Sequence, residues 1–347
     1  MQMGEGRQRM ARITRRQFLS WATYAGAAAA LGGLADGCRP AAQPLETVII
    51  QGAASPPSLA LLRVAEQGVP AKLAAVARFQ VWSTVDEVRA RITSNQAHFS
   101  GVPVNVAATL FNRGLAVRLL NVYIWGILYL VSRTPHLASL GDLKGETVLI
   151  PFRGDLPDIL TQYLLRHEGL SLGKDVQPSY LSAAPEAAQL LAAGRAQHAV
   201  LSEPSATLAI QKAQQNGITL YRALDYAQAW AAATGRQARI PMAGVVAQPD
   251  LARGRPDLLA WFQGAFRDAV PWVAAHPQEA AQAGAQAIQA IPPAVMRDSL
   301  PYIQFQFEEA SAVRAEVEFF LSQMYALSAD LIGGALPPDA FYAPVGG

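Results

Sequence analysis

The chain has 347 residues, of which 51% are apolar and 16% charged, a balance that excludes a disordered or nucleic-acid-coating protein and is long enough for two cores. The formal net charge of +2 arises in the first 37 residues, which hold Arg7, Arg9, Arg12, Arg15 and Arg16 against Glu5 and Asp36. Beyond them acidic and basic residues nearly balance, so no basic partner-binding surface is expected.

From the N-terminus, the order is basic residues, then Thr14-Arg15-Arg16-Gln17-Phe18-Leu19, then an Ala/Gly-rich apolar segment to Leu34. That segment is too short and too weakly apolar for a membrane span. The Arg-Arg-x-Phe-Leu run resembles a twin-arginine export signal, which implies a signal peptide over residues 1–37 and passage across the membrane in a folded state. Cys38 is the only cysteine, which excludes disulfides within the chain and cysteine-based metal sites. Its place after Leu34-Ala35-Asp36-Gly37 resembles a lipobox, and acylation there would anchor the protein to the membrane by lipid. Cleavage nearby, after Ala42, is the alternative and gives a free periplasmic protein. Residues 38–46 read as a Pro/Ala linker.

A strand is expected over 47–51, a helix over 58–67 stopped by Gly68, a strand over 77–82, and a helix over 84–93 with Ser83 as N-cap. A short strand near 98–101 leads to a helix over 106–112, followed by two β-like runs, 116–123 and 126–132. Residues 147–152 form an apolar run that enters the loop Arg153-Gly154-Asp155 and a helix with Pro157 in its first turn. Free backbone N–H groups, a cation and a glycine then meet at the carboxyl end of a strand, where open α/β sheets bind ligands, so residues 152–158 are expected to wall a cleft. A second round follows: strand 177–181, helix 185–193, strand 198–202, a helix from Glu203-Pro204 to 215, strand 219–224, a polar link, and strand 240–248. The remainder reads as helices over 250–276, 277–291, 293–300 and 308–327. Alternating strands and helices predict an α/β fold with mainly parallel sheets flanked by helices.

Several segments, taken in order, resemble the solute-binding proteins of ATP-driven importers, in the group that serves nitrate, sulfonates, taurine and thiamine-pyrimidine precursors. They are Gly101 to Ala108, Trp125 to Val131, Leu140 to Gly145, Gly154 to Asp158, Ala199 to Pro204 and Leu336 to Tyr342. The resemblance covers residues 46–345 and implies a two-lobed periplasmic-binding-protein (Venus flytrap) fold with two hinge crossovers. Lobe one would hold 47–131 and 243–347 and lobe two 132–242, with crossings near 132–135 and 240–244. It also implies a monomer that takes a small molecule and hands it to a permease and an ATPase. No cofactor, metal, nucleic acid or catalysis is expected.

Loops at strand ends give the candidate ligand contacts: Ser55 with Ala54, Trp82 and Ser83, Pro103 and Asn105, and Tyr123 with Trp125 from one lobe. The other lobe offers Phe152, Arg153, Gly154, Asp155 and Glu203. Each has a plainer reading: Trp82 as a core cap, Asn105, Asp155 and Glu203 as helix-start residues, Arg153 as a solvated charge. Trp125 beside Gly126 suggests a shaped cavity with a stacking platform. The aromatic residues favour a planar or partly apolar ligand, a heterocycle or an organic sulfonate or carboxylate, over a bare inorganic anion. Two other classes stay open: a pyrimidine-precursor synthase of the same fold, and a tethered ligand sensor. The five histidines, 98, 136, 167, 198 and 276, are scattered without metal or nucleophile–base spacing.

Overall fold

A computed structural model describes residues 43–343. The expected signal segment 1–37, the lipobox Cys38 and the linker up to 42 lie outside the described residues, as do 344–347.

The chain opens with β1 (Leu45–Ala53), a 3-10 turn at Pro56–Ser58, α1 (Leu59–Gln67), β2 (Ala74–Trp82), α2 (Val85–Thr93), β3 (Phe99–Pro103), α3 (Val104–Leu110) and β4 (Arg118–Ile124). Helix α2 begins one residue later than expected. Thr84 is its N-cap and accepts from Glu87 N–H at 3.2 Å, while the Glu87 carboxylate accepts from Ser83 N–H at 2.7 Å. His98 is structural: its Nδ1 accepts from Ile49 N–H at 2.9 Å, and burial lowers its pKa.

Next come β5 (Leu128–Ser132), β6 (Thr147–Pro151), α4 (Leu156–His167), β7 (Gln177–Leu181), α5 (Ala184–Ala192), β8 (His198–Ser202), α6 (Ser205–Gln215), β9 (Tyr221–Asp225) and α7 (Tyr226–Thr234). Helix α7 occupies what the sequence suggested was a polar link. Asp225 caps it by accepting from Ala227 N–H at 2.8 Å, and Trp230 buries one face between Tyr163 and Phe319. The last part holds β10 (Ala243–Ala247), α8 (Pro249–Gly254), α9 (Pro256–Ala275), α10 (Pro277–Ala287), α11 (Pro293–Ser299), β11 (Phe305–Glu309) and α12 (Arg314–Leu327). The helix expected over 250–276 is broken before Pro256, because the residue preceding a proline avoids the helical region. The helix expected from 308 starts at Arg314, and the residues ahead of it form a strand instead.

Two sheets result. The first runs β11-β4-β10-β3-β1-β2 and the second β7-β6-β8-β5-β9. In the first, β1 to β4 point one way and β10 and β11 the other; in the second, only β5 opposes the rest. Most strands are therefore co-directional, yet each sheet mixes parallel and antiparallel pairs. The reversed strands β5 and β10 are those that follow a passage from one sheet to the other. Strand β4 is buried along all but its first residue and β5 along its whole length, as largely apolar sequences interrupted only by Asn121 and Ser132 allow once helices cover both faces. Helix α9 covers part of the first sheet, its Phe262 stacking on Phe99 of β3 at 3.9 Å and its Phe266 meeting Tyr123 of β4 edge-on at 5.0 Å.

The first passage lies earlier than the sequence suggested. The sequence places residues 126–131 in the first lobe, whereas Leu128–Ser132 pairs with β8 and β9 in the second sheet. The passage is thus the short segment 125–127. It runs beside the return segment 240–242, with Ile240 N–H donating to Trp125 O at 2.7 Å and Met242 N–H to Ile124 O at 2.9 Å. No helix among the described residues is long and apolar enough to cross a membrane.

Candidate functional site

A cavity of about 540 Å³ opens where the carboxyl ends of strands from both sheets face each other. One wall is made by Ser55, Pro57 and Ser58 after β1, Trp82 to Val85 after β2, Pro103, Asn105 and Val106 after β3, and Tyr123 and Ile124 at the end of β4. The other comes from Ile127 and Leu128 entering β5, Phe152 and 155–157 after β6, and Ser202 and Glu203 ending β8; Met242 and Ala243 close it. This is the crevice that strand direction dictates for open α/β sheets.

Packing fixes the aromatic members. Trp82 donates Nε1–H to Gly101 O at 3.1 Å. A Cβ on Gly101 would lie 2.5 Å from Leu61 Cδ1 and 3.1 Å from the Tyr123 hydroxyl, so glycine there lets the tyrosine reach the cavity. Burial pushes the Tyr123 pKa up, keeping its hydroxyl protonated. Phe152 sits at φ +60°, a region disfavoured for a residue with a side chain, and is 42% exposed. Its N–H donates to Leu181 O and its own carbonyl accepts from Asp155 N–H, both at 3.0 Å. The strand-to-helix turn thereby holds the ring toward the cavity at a cost of roughly 1–3 kcal/mol.

The acidic members differ in role. Asp155, expected as the cap of α4, makes no side-chain cap bond. Asp158, inside the first turn, instead accepts from Gly154 N–H ahead of the helix at 2.8 Å and from Tyr180 Oη at 3.0 Å, and Asp155 lines the cavity. Desolvation and then the neighbouring Asp158 raise the Asp155 pKa. Glu203 is buried and accepts from Arg222 Nε at 2.7 Å, Thr207 Oγ1 at 2.8 Å and Thr207 N–H at 3.1 Å. Burial raises its pKa, and Arg222 and Thr207 pull it part of the way back.

Four expected contacts, Ala54, Trp125, Arg153 and Gly154, lie outside the lining. Trp125 is 1% exposed, donates Nε1–H to Gln306 O at 2.9 Å and lies under the Arg239 guanidinium at 4.3 Å. It is a packing residue of the passage and no stacking platform, and Gly126 leaves room for the Gln304 side chain, which a Cβ would meet at 2.7 Å. Arg153 rests over the Tyr180 ring at 5.0 Å, outside the lining. Gly154 contributes its backbone, at φ +83°. Nothing in the sequence singles out Ile127, Leu128, Met242 and Ala243, which are apolar, or Ser202, a lone serine at a strand end.

This architecture is that of the two-lobed periplasmic binding proteins. The chain superposes on an ABC transporter structure from Parabacteroides distasonis with a TM-score of 0.71 and 22% identity, over 86% of this chain and 98% of that one. It is similar to the periplasmic aliphatic sulphonate binding protein of Escherichia coli (TM-score 0.63, 14% identity, 82% and 87% covered). It is also similar to the periplasmic nitrate-binding protein of Synechocystis (TM-score 0.60, 14% identity, 84% and 85% covered). No protein-family model and no curated protein sequence matches the chain.

Proposed function

We propose that the chain is an extracytoplasmic solute-binding protein that captures a small molecule in this cavity and delivers it to the permease and ATPase of an ABC importer. The observation that carries the reading is the cavity itself, lined from both sheets across two adjacent connecting segments, 125–127 and 240–242, about which the lobes would close. The likeness to binding components of importers supports it. A planar heterocycle or an organic sulfonate or carboxylate suits walls that carry Trp82, Tyr123 and Phe152.

A thermal-shift screen of heterocycles, sulfonates and aromatic carboxylates tests this. A bound member at 100 times its Kd should stabilise the protein by about 2.7 kcal/mol. The shift should shrink in Phe152→Gly, whose own stability should stay within about 1 kcal/mol of the wild type because relief of the positive φ offsets the lost ring. Silence across the screen, or conversion of a bound compound to product, would overturn the reading.

The leader belongs to the same proposal. Residues 1–37 would direct twin-arginine export and Cys38 would carry the lipid, placing a monomer at the outer face of the cell membrane. Cys38→Ala should move the protein from the membrane to the soluble periplasmic fraction. An unchanged membrane fraction would remove the anchor from the proposal.

A further inference from the structure

The connecting segments border a second cavity, of about 500 Å³, which shares no lining residue with the first. Its walls include Trp230 of α7 and Arg236 just after it, Arg239 and Pro241 of the return segment, and Glu316 and Phe319 of α12. Ile124 and Met242 line the first cavity, while their neighbours Trp125, beneath Arg239, and Pro241 lie toward the second. The connecting segments therefore run between the two cavities.

Two cations reach this second cavity, and they differ. Arg239 is committed: its Nε donates to Glu316 Oε2 at 2.7 Å, a second nitrogen donates to Glu316 Oε1, and the guanidinium covers the Trp125 ring at 4.3 Å. Arg236 is exposed, and among the described residues no carboxylate pairs with it. Its guanidinium carbon lies 3.7 Å from the centre of the Phe319 ring. That contact places the cation and leaves its N–H groups to water or to an occupant.

With Glu316 balanced by Arg239, the lining keeps one uncompensated positive charge, that of Arg236. Trp230, Phe319 and Pro241 add apolar surface beside it, and the volume falls within the roughly 300–1,000 Å³ of small-molecule sites.

We propose that this cavity binds a second small molecule, an organic monocarboxylate whose carboxylate takes the Arg236 guanidinium and whose apolar body lies against Phe319 and Pro241. The planar fork of an arginine matches a carboxylate with two parallel hydrogen bonds, and one negative charge balances the one left over in the lining. The occupant would touch α7, which follows β9 of the second sheet, and α12, which follows β11 of the first. The site is separate from the solute cavity, so its test stands whether or not the solute-binding reading does.

The probes are 2-naphthoate and its neutral counterpart 2-naphthamide, titrated into the full chain by calorimetry. Naphthoate should bind with saturation, and naphthamide roughly tenfold more weakly or worse. Arg236→Gln should weaken naphthoate by roughly tenfold or more. Because Arg236 is exposed and outside any ion pair among the described residues, that variant should melt at the wild-type temperature, which separates lost binding from lost fold. Arg236→Lys, which keeps the charge without the fork, should recover only part of the affinity. Phe152→Gly, altered in the first cavity, should bind naphthoate as the wild type does. Naphthoate binding that is lost in Phe152→Gly and kept in Arg236→Gln would put the probe in the first cavity and overturn the proposal. Equal binding of the amide, or no saturable binding of naphthoate, would overturn it too.

Discussion

Arg222→Ala is expected to lower folding stability by about 3–5 kcal/mol, the range for removing one partner of a buried ion pair and leaving its charge behind. The Glu203 side chain is fully buried and the Arg222 side chain 15% exposed. The arginine also bonds Thr207 Oγ1 at 2.7 Å and stacks on the Tyr302 ring at 3.3 Å. Tyr302 follows α11, so this one side chain ties β9 of the second sheet to the segment that leads into β11 of the first. Without Arg222, burial pushes the Glu203 pKa still further above its unfolded value. The folded state then favours the protonated carboxyl, so the loss should grow as pH rises above the ordinary carboxylate range and be smaller at pH 5 than at pH 8. Adding Glu203→Gln to the variant should recover much of it. Urea midpoints at the two pH values measure this, and a loss below about 1 kcal/mol at both would show that the pair contributes little.

Gly244→Ala should be nearly as damaging. Strand β10 lies between β3 and β4, and a Cβ at 244 would fall well inside contact distance of the Asn121 carbonyl oxygen and 2.8 Å from Leu119 Cδ1. A carbonyl on a paired strand cannot swing aside as a flexible side chain can. We expect about 3 kcal/mol of destabilisation, at the upper end of overpacking effects. Gly264→Ala, in the interior of α9 with nothing within 4 Å of the added carbon, should instead stabilise by about 0.5–1 kcal/mol. Parallel denaturation of the two variants checks both, and a Gly244→Ala protein within 1 kcal/mol of the wild type would contradict the steric argument.

Much of the architecture was legible because the local signals agreed with the tertiary outcome. Apolar runs ending in loops marked β1, β2, β6 and β8, and the ends of those strands placed Trp82, Phe152 and Glu203 at the cavity. Where the reading failed, the deciding contact was remote. Trp125 beside Gly126 fits either an open cavity or close packing, and the choice is made by Gln306, 181 residues away. Strand β11 alternates Phe305 and Phe307 with polar residues, a period of two, but its partner β4 is as distant. Arg222 gave no sign of its role, since only the fold sets it behind Glu203. Alanine-rich α7 lacked the apolar stripe that marks most helices here, and its Asp225 cap and closing Gly235 were the signals available.

The position of β10 also governs what a shortened chain retains. Strand β4 pairs only with β10 and β11, so a chain stopped before residue 243 leaves it without a neighbour, although β4 itself ends at residue 124. The second sheet, in contrast, has all its strands by residue 225. The part of the molecule made first is therefore the part completed last. Its closing contacts are long-range, the slowest kind to form, and loss of residues from the carboxyl terminus falls on the N-terminal sheet before it touches the middle one.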